Sequence, residues 1–280
     1  MGGRDPHAYG WPIPITGIRP ELPDGHLPDL PTADEALRVG VIDTGIAVNS
    51  QGEVHPWLRG HVQYMPDEVE HRNDSDPDVG HGSFVAGVVL QQAPTATVLM
   101  HRAVVGAENE DEEGQVATAI RELGQAGVTL INLSFGGSLF EHSTPTVISE
   151  ALSELGPEVV VVAAVANNAL PLRTYPAADK RVISVGAATS SGAIAEFSAN
   201  GDWIDIYAVG EGVVGPYQDG YAEWSGTSFA AATMTGRIAR RMAAGMSAEQ
   251  GAALLLSRSG VAHVWGVNGK RDVRFLEPLA

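Results

Sequence analysis

Cysteine is absent from all 280 residues, which excludes a disulfide framework and any thiol chemistry. That absence fits the cytoplasm and fits many secreted bacterial proteins equally well. Positive charge is scarce: 17 Lys and Arg face 34 Asp and Glu, for a formal net charge of −17. Contact with phosphates needs clustered positive charge, so a nucleic-acid role is disfavoured. The acidic field would draw in a basic substrate, and solubility alone is an equally good use for it. Long apolar runs are also missing. No segment reaches the ~20 residues of a membrane helix, and Met1-Gly2-Gly3-Arg4-Asp5-Pro6 lacks the apolar stretch of a secretory signal. The expected compartment is the cytoplasm, with a mature secreted chain as the alternative. No membrane partner, cofactor or metal is expected.

What is present is a set of three short segments, each carrying one polar group that can do chemistry. They are Val41-Ile42-Asp43-Thr44-Gly45, Gly80-His81-Gly82-Ser83 and Ser225-Gly226-Thr227-Ser228-Phe229-Ala230. An acid, an imidazole and a hydroxyl are what nucleophilic acyl transfer needs. Asp43 closes an apolar strand, where a carboxylate is costly unless a cation or donors meet it. His81 sits between two glycines, small neighbours that leave its ring accessible and let the following helix pack closely. Ser228 opens a helix, where the dipole and unpaired N–H groups favour negative charge. Taken singly, a turn-capping Asp, a core His and an N-cap Ser are the commoner explanations. His55, His61, His71, His101 and His142 are assigned such structural roles.

Dense prolines over residues 1–36 exclude helix and a central strand, so this stretch reads as an extended arm. Residues 37–280 read as one domain. Buried strands are expected at 37–43, 97–105, 128–134, 158–164 and 181–187, and helices near 81–91, 114–126, 144–155, 228–244 and 247–257. Strand then helix, repeated, predicts an α/β fold: a doubly wound, mostly parallel sheet with helices on both faces. Such sheets bind ligands outside the carboxyl ends of their strands. Asp43, Ser134-Phe135-Gly136-Gly137 and Ala166-Asn167 all fall at such ends, and His81 and Ser228 at the helix starts facing them.

The order Asp, His, Ser is that of subtilisin, and these motifs resemble the subtilase family of serine peptidases over roughly residues 37–280. The resemblance implies an Asp43/His81/Ser228 triad working through an acyl-enzyme on peptide or protein substrates. It implies that Asn167, after Val161-Val162-Ala163-Ala164-Val165-Ala166, donates to the oxyanion. Asn168 follows directly, so the register could fall one residue later. It further implies that Ser134, Phe135, Gly136 and Gly137 pair with the substrate backbone by β-augmentation. Glu112 and Glu113, in an acidic run with Glu108, Glu110 and Asp111, would edge the groove and favour Lys or Arg there. A solvated helix start is the competing explanation. Arg173 and Thr174 are weaker candidates for the primary specificity pocket.

The sequence departs from the family pattern in several places. Ala232 stands where a proline follows the nucleophile, and Ala166 where a glycine precedes the oxyanion asparagine, which matters if that position needs positive φ. Val89-Leu90-Gln91-Gln92-Ala93-Pro94 runs straight toward the next strand, without the inserted loop that holds calcium in many secreted members. Asp74, Asp76 and Asp78 have alternate spacing but lack the glycine and glutamate of an EF-hand loop. No folding prodomain of the usual size is recognisable. The expected function is processing of a specific peptide or precursor, and the alternative is a catalytically silent peptide-binding relative.

Overall fold

Short runs rich in Val, Ile, Leu and Ala need cover on both faces, and a parallel sheet between helix layers supplies it. The computed structural model describes residues 9–15, 22, 25–65, 67, 69–71, 79–103, 112–135, 146–266 and 269–277. Its elements run β1 (Tyr9–Pro14), β2 (Arg38–Asp43), β3 (Ile46–Val48), β4 (Val62–Gln63), β5 (Val69–His71), α1 (His81–Gln92), β6 (Thr97–Arg102) and α2 (Glu112–Gln125). They continue with β7 (Leu130–Leu133), α3 (Thr146–Glu154), β8 (Val160–Ala164), β9 (Val182–Ala188), β10 (Ile206–Val209), β11 (Val213–Tyr217) and β12 (Gly220–Ser225). The chain closes with α4 (Thr227–Ala243), α5 (Ala248–Arg258), β13 (Gly260–Gly266) and β14 (Gly269–Phe275).

The main sheet has the order β13-β14-β10-β9-β8-β7-β2-β6-β4. Every neighbouring pair is parallel except the closing β13–β14 hairpin. Successive residues of one strand enter different cores. Val39, Val41, Val162 and Ala164 join the cluster built with α1 and α4, while Ile42, Val161 and Ala163 join the one built with α2 and α3. The fold is the expected doubly wound α/β sheet. Its strand order reverses at β2, since the chain moves from β2 out to β6 and returns to β7 on the other side. Such a reversal opens a crevice at the carboxyl ends.

Within the described part of the proline-rich stretch, β1 pairs antiparallel with β12 as the outer strand of a β1-β12-β11 sheet, an edge position where prolines are tolerated. Leu22 and Leu27 are buried against Val214, so part of the arm is packed. The β11–β12 hairpin, β10 and the parallel β3–β5 ribbon were not expected from the sequence. Among the described residues, no helix is long and apolar enough to cross a membrane.

Candidate active site

Asp43 and His81 meet at the carboxyl end of β2. Asp43 Oδ1 lies 2.7 Å from His81 Nδ1 and accepts from the Thr44 N–H at 2.8 Å. Both side chains are buried. The histidine ring is not accessible, as its small neighbours suggested it would be. It packs edge-on to Trp224 at 5.6 Å and against Phe229 at 5.4 Å between ring centroids. The glycines do serve the close approach that was also expected of them. Gly80 caps α1 at φ 95°, and a Cβ on Gly82 would fall 2.2 Å from the Gly45 carbonyl oxygen.

Ser228 lies in the first turn of α4, which begins at Thr227. Packing of its neighbour Phe229 on the His81 ring sets that turn beside the imidazole. Ser228 Oγ donates to the Ser134 carbonyl at 2.8 Å, and Ser134 Oγ donates back to the Ser228 carbonyl at 3.0 Å. Behind them, Asn132 Nδ2 donates to Ser134 Oγ at 2.6 Å and Thr235 Oγ1 donates to Asn132 Oδ1 at 2.9 Å. This buried polar chain sews β7 to α4.

Asn167 Oδ1 accepts from the Thr227 N–H at 2.9 Å, which turns the donating end of its amide away from Thr227. Asn168 folds back on its own loop and accepts from Leu170 N. Only Asn167 is thus tied to the turn that holds Ser228. Thr227 Oγ1 also donates to the Val165 carbonyl. Positive φ falls on Ala169 (57°), not on Ala166, so the alanine in place of glycine is accommodated. Ala232 is buried within an unbroken α4.

Phe135 packs against the α2–α3 core, while Gly136 and Gly137 lie outside the described residues. Glu112 and Glu113 occupy the first turn of α2, two residues earlier than the predicted helix start. Carboxylates are favoured there by the dipole. Glu108, Glu110, Asp111, Asp74, Asp76, Asp78 and His142 lie outside the described residues. His55 accepts from Trp57 N and His61 bonds the Ala96 carbonyl, both structural uses. Thr174 is fully buried.

Sequence reading missed several residues here. Glu70, on β5, is buried and accepts from Thr44 Oγ1 and from Gly80 N, each at 3.0 Å. Burial pushes its carboxyl up to about 7. Nothing local marks a glutamate within Val-Glu-His, because its partners are distant in the chain. Asn132, by contrast, left a signal: it is the one polar side chain in an otherwise apolar β7. A separate cleft of about 250 Å³, lined by Arg121, Thr129, Glu154 and Val159 among others, opens at the amino ends of β7 and β8. It holds none of the candidate residues.

A parallel sheet reversing at its first long strand, with an acid, an imidazole and a hydroxyl gathered at the reversal, is the architecture of subtilisin-like proteins. The chain belongs to the subtilase family, peptidase family S8, whose model matches residues 34–269. It is 31% identical over 223 residues to the thermophilic serine proteinase of Bacillus sp. (strain AK1), covering 75% of this chain and 53% of that protein. It is 30% identical over 219 residues to subtilisin E of Bacillus subtilis (strain 168), covering 72% and 54% respectively. The chain therefore spans about half the length of these curated relatives. Among solved structures, the patellamide maturation protease PatA is similar with a TM-score of 0.69 and 25% identity, over 82% of this chain and 89% of that one.

Proposed function

We propose that the chain is a serine endopeptidase acting through an acyl-enzyme, with residues 37–280 as the peptidase domain and residues 1–36 as a proline-rich N-terminal arm. The observation that carries this reading is the buried Asp43–His81 bond of 2.7 Å with the first turn of α4 packed against the same imidazole. Ser228 Oγ attacks the scissile carbonyl while His81 Nε2 takes its proton. Asp43 holds the Nδ1–H tautomer and stabilises the imidazolium. The Asn167 amide, anchored through its oxygen, donates to the oxyanion. His81 then returns the proton to the leaving amine, and water, deprotonated by the same imidazole, releases the acyl group. The substrate chain lies along Ser134, Phe135, Gly136 and Gly137, and Glu112 and Glu113 favour basic residues on the amino side of the cut.

Similarity to a maturation protease supports a specific precursor peptide as substrate rather than bulk protein. An unbiased peptide-cleavage profile tests this: cuts scattered without a shared motif, or no basic enrichment, remove the respective claim. One observation favours the silent peptide-binding alternative. The Ser228 hydroxyl gives its one proton to the Ser134 carbonyl, a bond that has to be exchanged for one to His81 Nε2 before Ser228 reacts. A fluorophosphonate probe separates the two readings. Labelling of the wild-type chain, abolished in Ser228→Ala, supports the enzyme, while a folded chain that never labels is a binder.

A further inference from the structure

A carboxylate outside the proposed triad grips the peptide groups on either side of His81. Glu70 Oε2 accepts directly from the Gly80 N–H at 3.0 Å. The same oxygen accepts from Thr44 Oγ1 at 3.0 Å, and Thr44 Oγ1 in turn accepts from the Gly82 N–H at 3.1 Å. One side chain therefore reaches the amide before His81 and, through one hydroxyl, the amide after it. Thr44 closes the circuit, because its own N–H donates to the Asp43 oxygen that bonds His81 Nδ1. The β3–β5 ribbon, which pairs Glu70 with Ala47, holds the carboxylate in place.

We propose that Glu70 is a positioning residue of the triad: its carboxylate clamps the backbone around His81, and the clamp works fully only while the carboxylate is charged. The inference rests on the triad reading above. Hydrogen bonds to an ionised acceptor are shorter and stronger than those to a neutral one, so protonation loosens both arms of the clamp. The negative charge also favours the imidazolium that forms as Ser228 loses its proton. Among the described residues, the charged groups acting on Glu70 are Asp43 on β2 and Arg102 at the end of β6, and the His81 imidazole is held by the same backbone that the carboxylate grips. Burial is the main influence on Glu70 and opposes its charge, with Asp43 acting in the same direction and Arg102 against it. The result, a carboxyl near 7, makes the clamp switch in the neutral range.

The test uses the pH dependence of fluorophosphonate labelling in wild-type chain, Glu70→Gln and Ser228→Ala, with thermal melts confirming folding. The probe needs no knowledge of the substrate. In the wild type, the acid limb of the labelling rate is steeper than one proton, because His81 and Glu70 both titrate. Glu70→Gln keeps an oxygen acceptor but no charge. Its limb falls to one proton, and its rate at pH 8.5 drops about tenfold, the scale of coupling within one hydrogen-bond network. As a readout independent of turnover, the downfield proton on His81 Nδ1 shifts between pH 6 and pH 8 in wild type and holds still in Glu70→Gln over the part set by Glu70. A wild-type limb of one proton overturns the proposal even if the variant cannot be made. So does a folded Glu70→Gln with the wild-type profile, which would leave Glu70 as a fastening of the β3–β5 ribbon. Labelling that survives in Ser228→Ala removes the triad reading itself, a different failure.

Discussion

The two halves of the site are built from different materials. The acid–base half, at the end of β2 and the start of α1, is made of carboxylates and an imidazole held by backbone N–H groups. The nucleophile half, at the end of β7 and the start of α4, is neutral: hydroxyls and one amide bonded in series from Thr235 to Ser228. Both are buried, so both carry a desolvation cost that hydrogen bonds must offset. They offset it differently. The charged half depends on protonation, and the neutral half depends only on the alignment of donors and acceptors. Such a division places pH sensitivity on one side of the crevice and rigidity on the other.

The largest effect that bears on this comparison lies between the halves, at Asn167. Replacing Asn167 by Ala removes the proposed oxyanion donor and the acceptor for Thr227 N. A loss of about 10²–10³ in turnover is expected, a size known from a subtilisin relative rather than from these distances. Asn168→Ala, which removes an acceptor within its own loop, changes turnover by less than about threefold. Steady-state rates on one peptide substrate decide it, and equal losses in the two variants would show that the wrong amide had been chosen.

The charged half is sharpened by stability against pH. Glu70 ordinarily titrates at 4.5 but holds its proton to about 7 in the folded chain. The folded state therefore binds the extra proton between those values, and its stability falls as pH rises through that window. The gap corresponds to about 3 kcal/mol. Glu70→Gln, which has no such titration, gains about this much relative to wild type on going from pH 4 to pH 8. Denaturant unfolding at the two pH values measures it. A variant that is slower yet relatively more stable at high pH is what a functional carboxylate kept charged against its surroundings predicts. An equal difference at both pH values would place the burden of Glu70 elsewhere.

The layered fold was legible because the buried strands are continuous apolar runs and the helices between them are amphipathic, and both patterns are local. All five predicted strands and all five predicted helices are present, with ends shifted by a few residues. The meeting of Asp43 and His81 beside the first turn of α4 was legible because their segments carry glycines and the order of the three along the chain is informative. The β3–β5 ribbon and Glu70 were not, since a parallel pairing of three-residue strands leaves no periodicity to read. The β11–β12 hairpin, turning through Gln218 at φ 52°, has an interior Gly and Pro that argue against a strand. Accessibility of His81 was misjudged for a different reason. Trp224 and Phe229 are near Ser228 in sequence, and only the packing of β12 and α4 onto α1 brings them over the imidazole.

The neutral half offers the smallest effect and the cleanest contrast. Thr235 is fully buried on α4, and its hydroxyl donates to Asn132 Oδ1 at 2.9 Å. Thr235→Val keeps nearly the same shape while removing that donor, so the Asn132 oxygen loses a partner inside a dry core. A stability loss of about 1–2 kcal/mol is expected. The downstream bonds from Asn132 to Ser134 and from Ser134 to Ser228 stay in place, so the labelling rate changes by less than about threefold. No group in this chain of bonds titrates near neutrality, and the stability loss is therefore the same at pH 4 and pH 8 where that of Glu70→Gln is not. Unfolding curves for the two variants, run side by side, test the division directly: a Thr235→Val deficit that varied with pH would mean that the hydroxyl chain and the carboxylate clamp form one electrostatic network across the crevice.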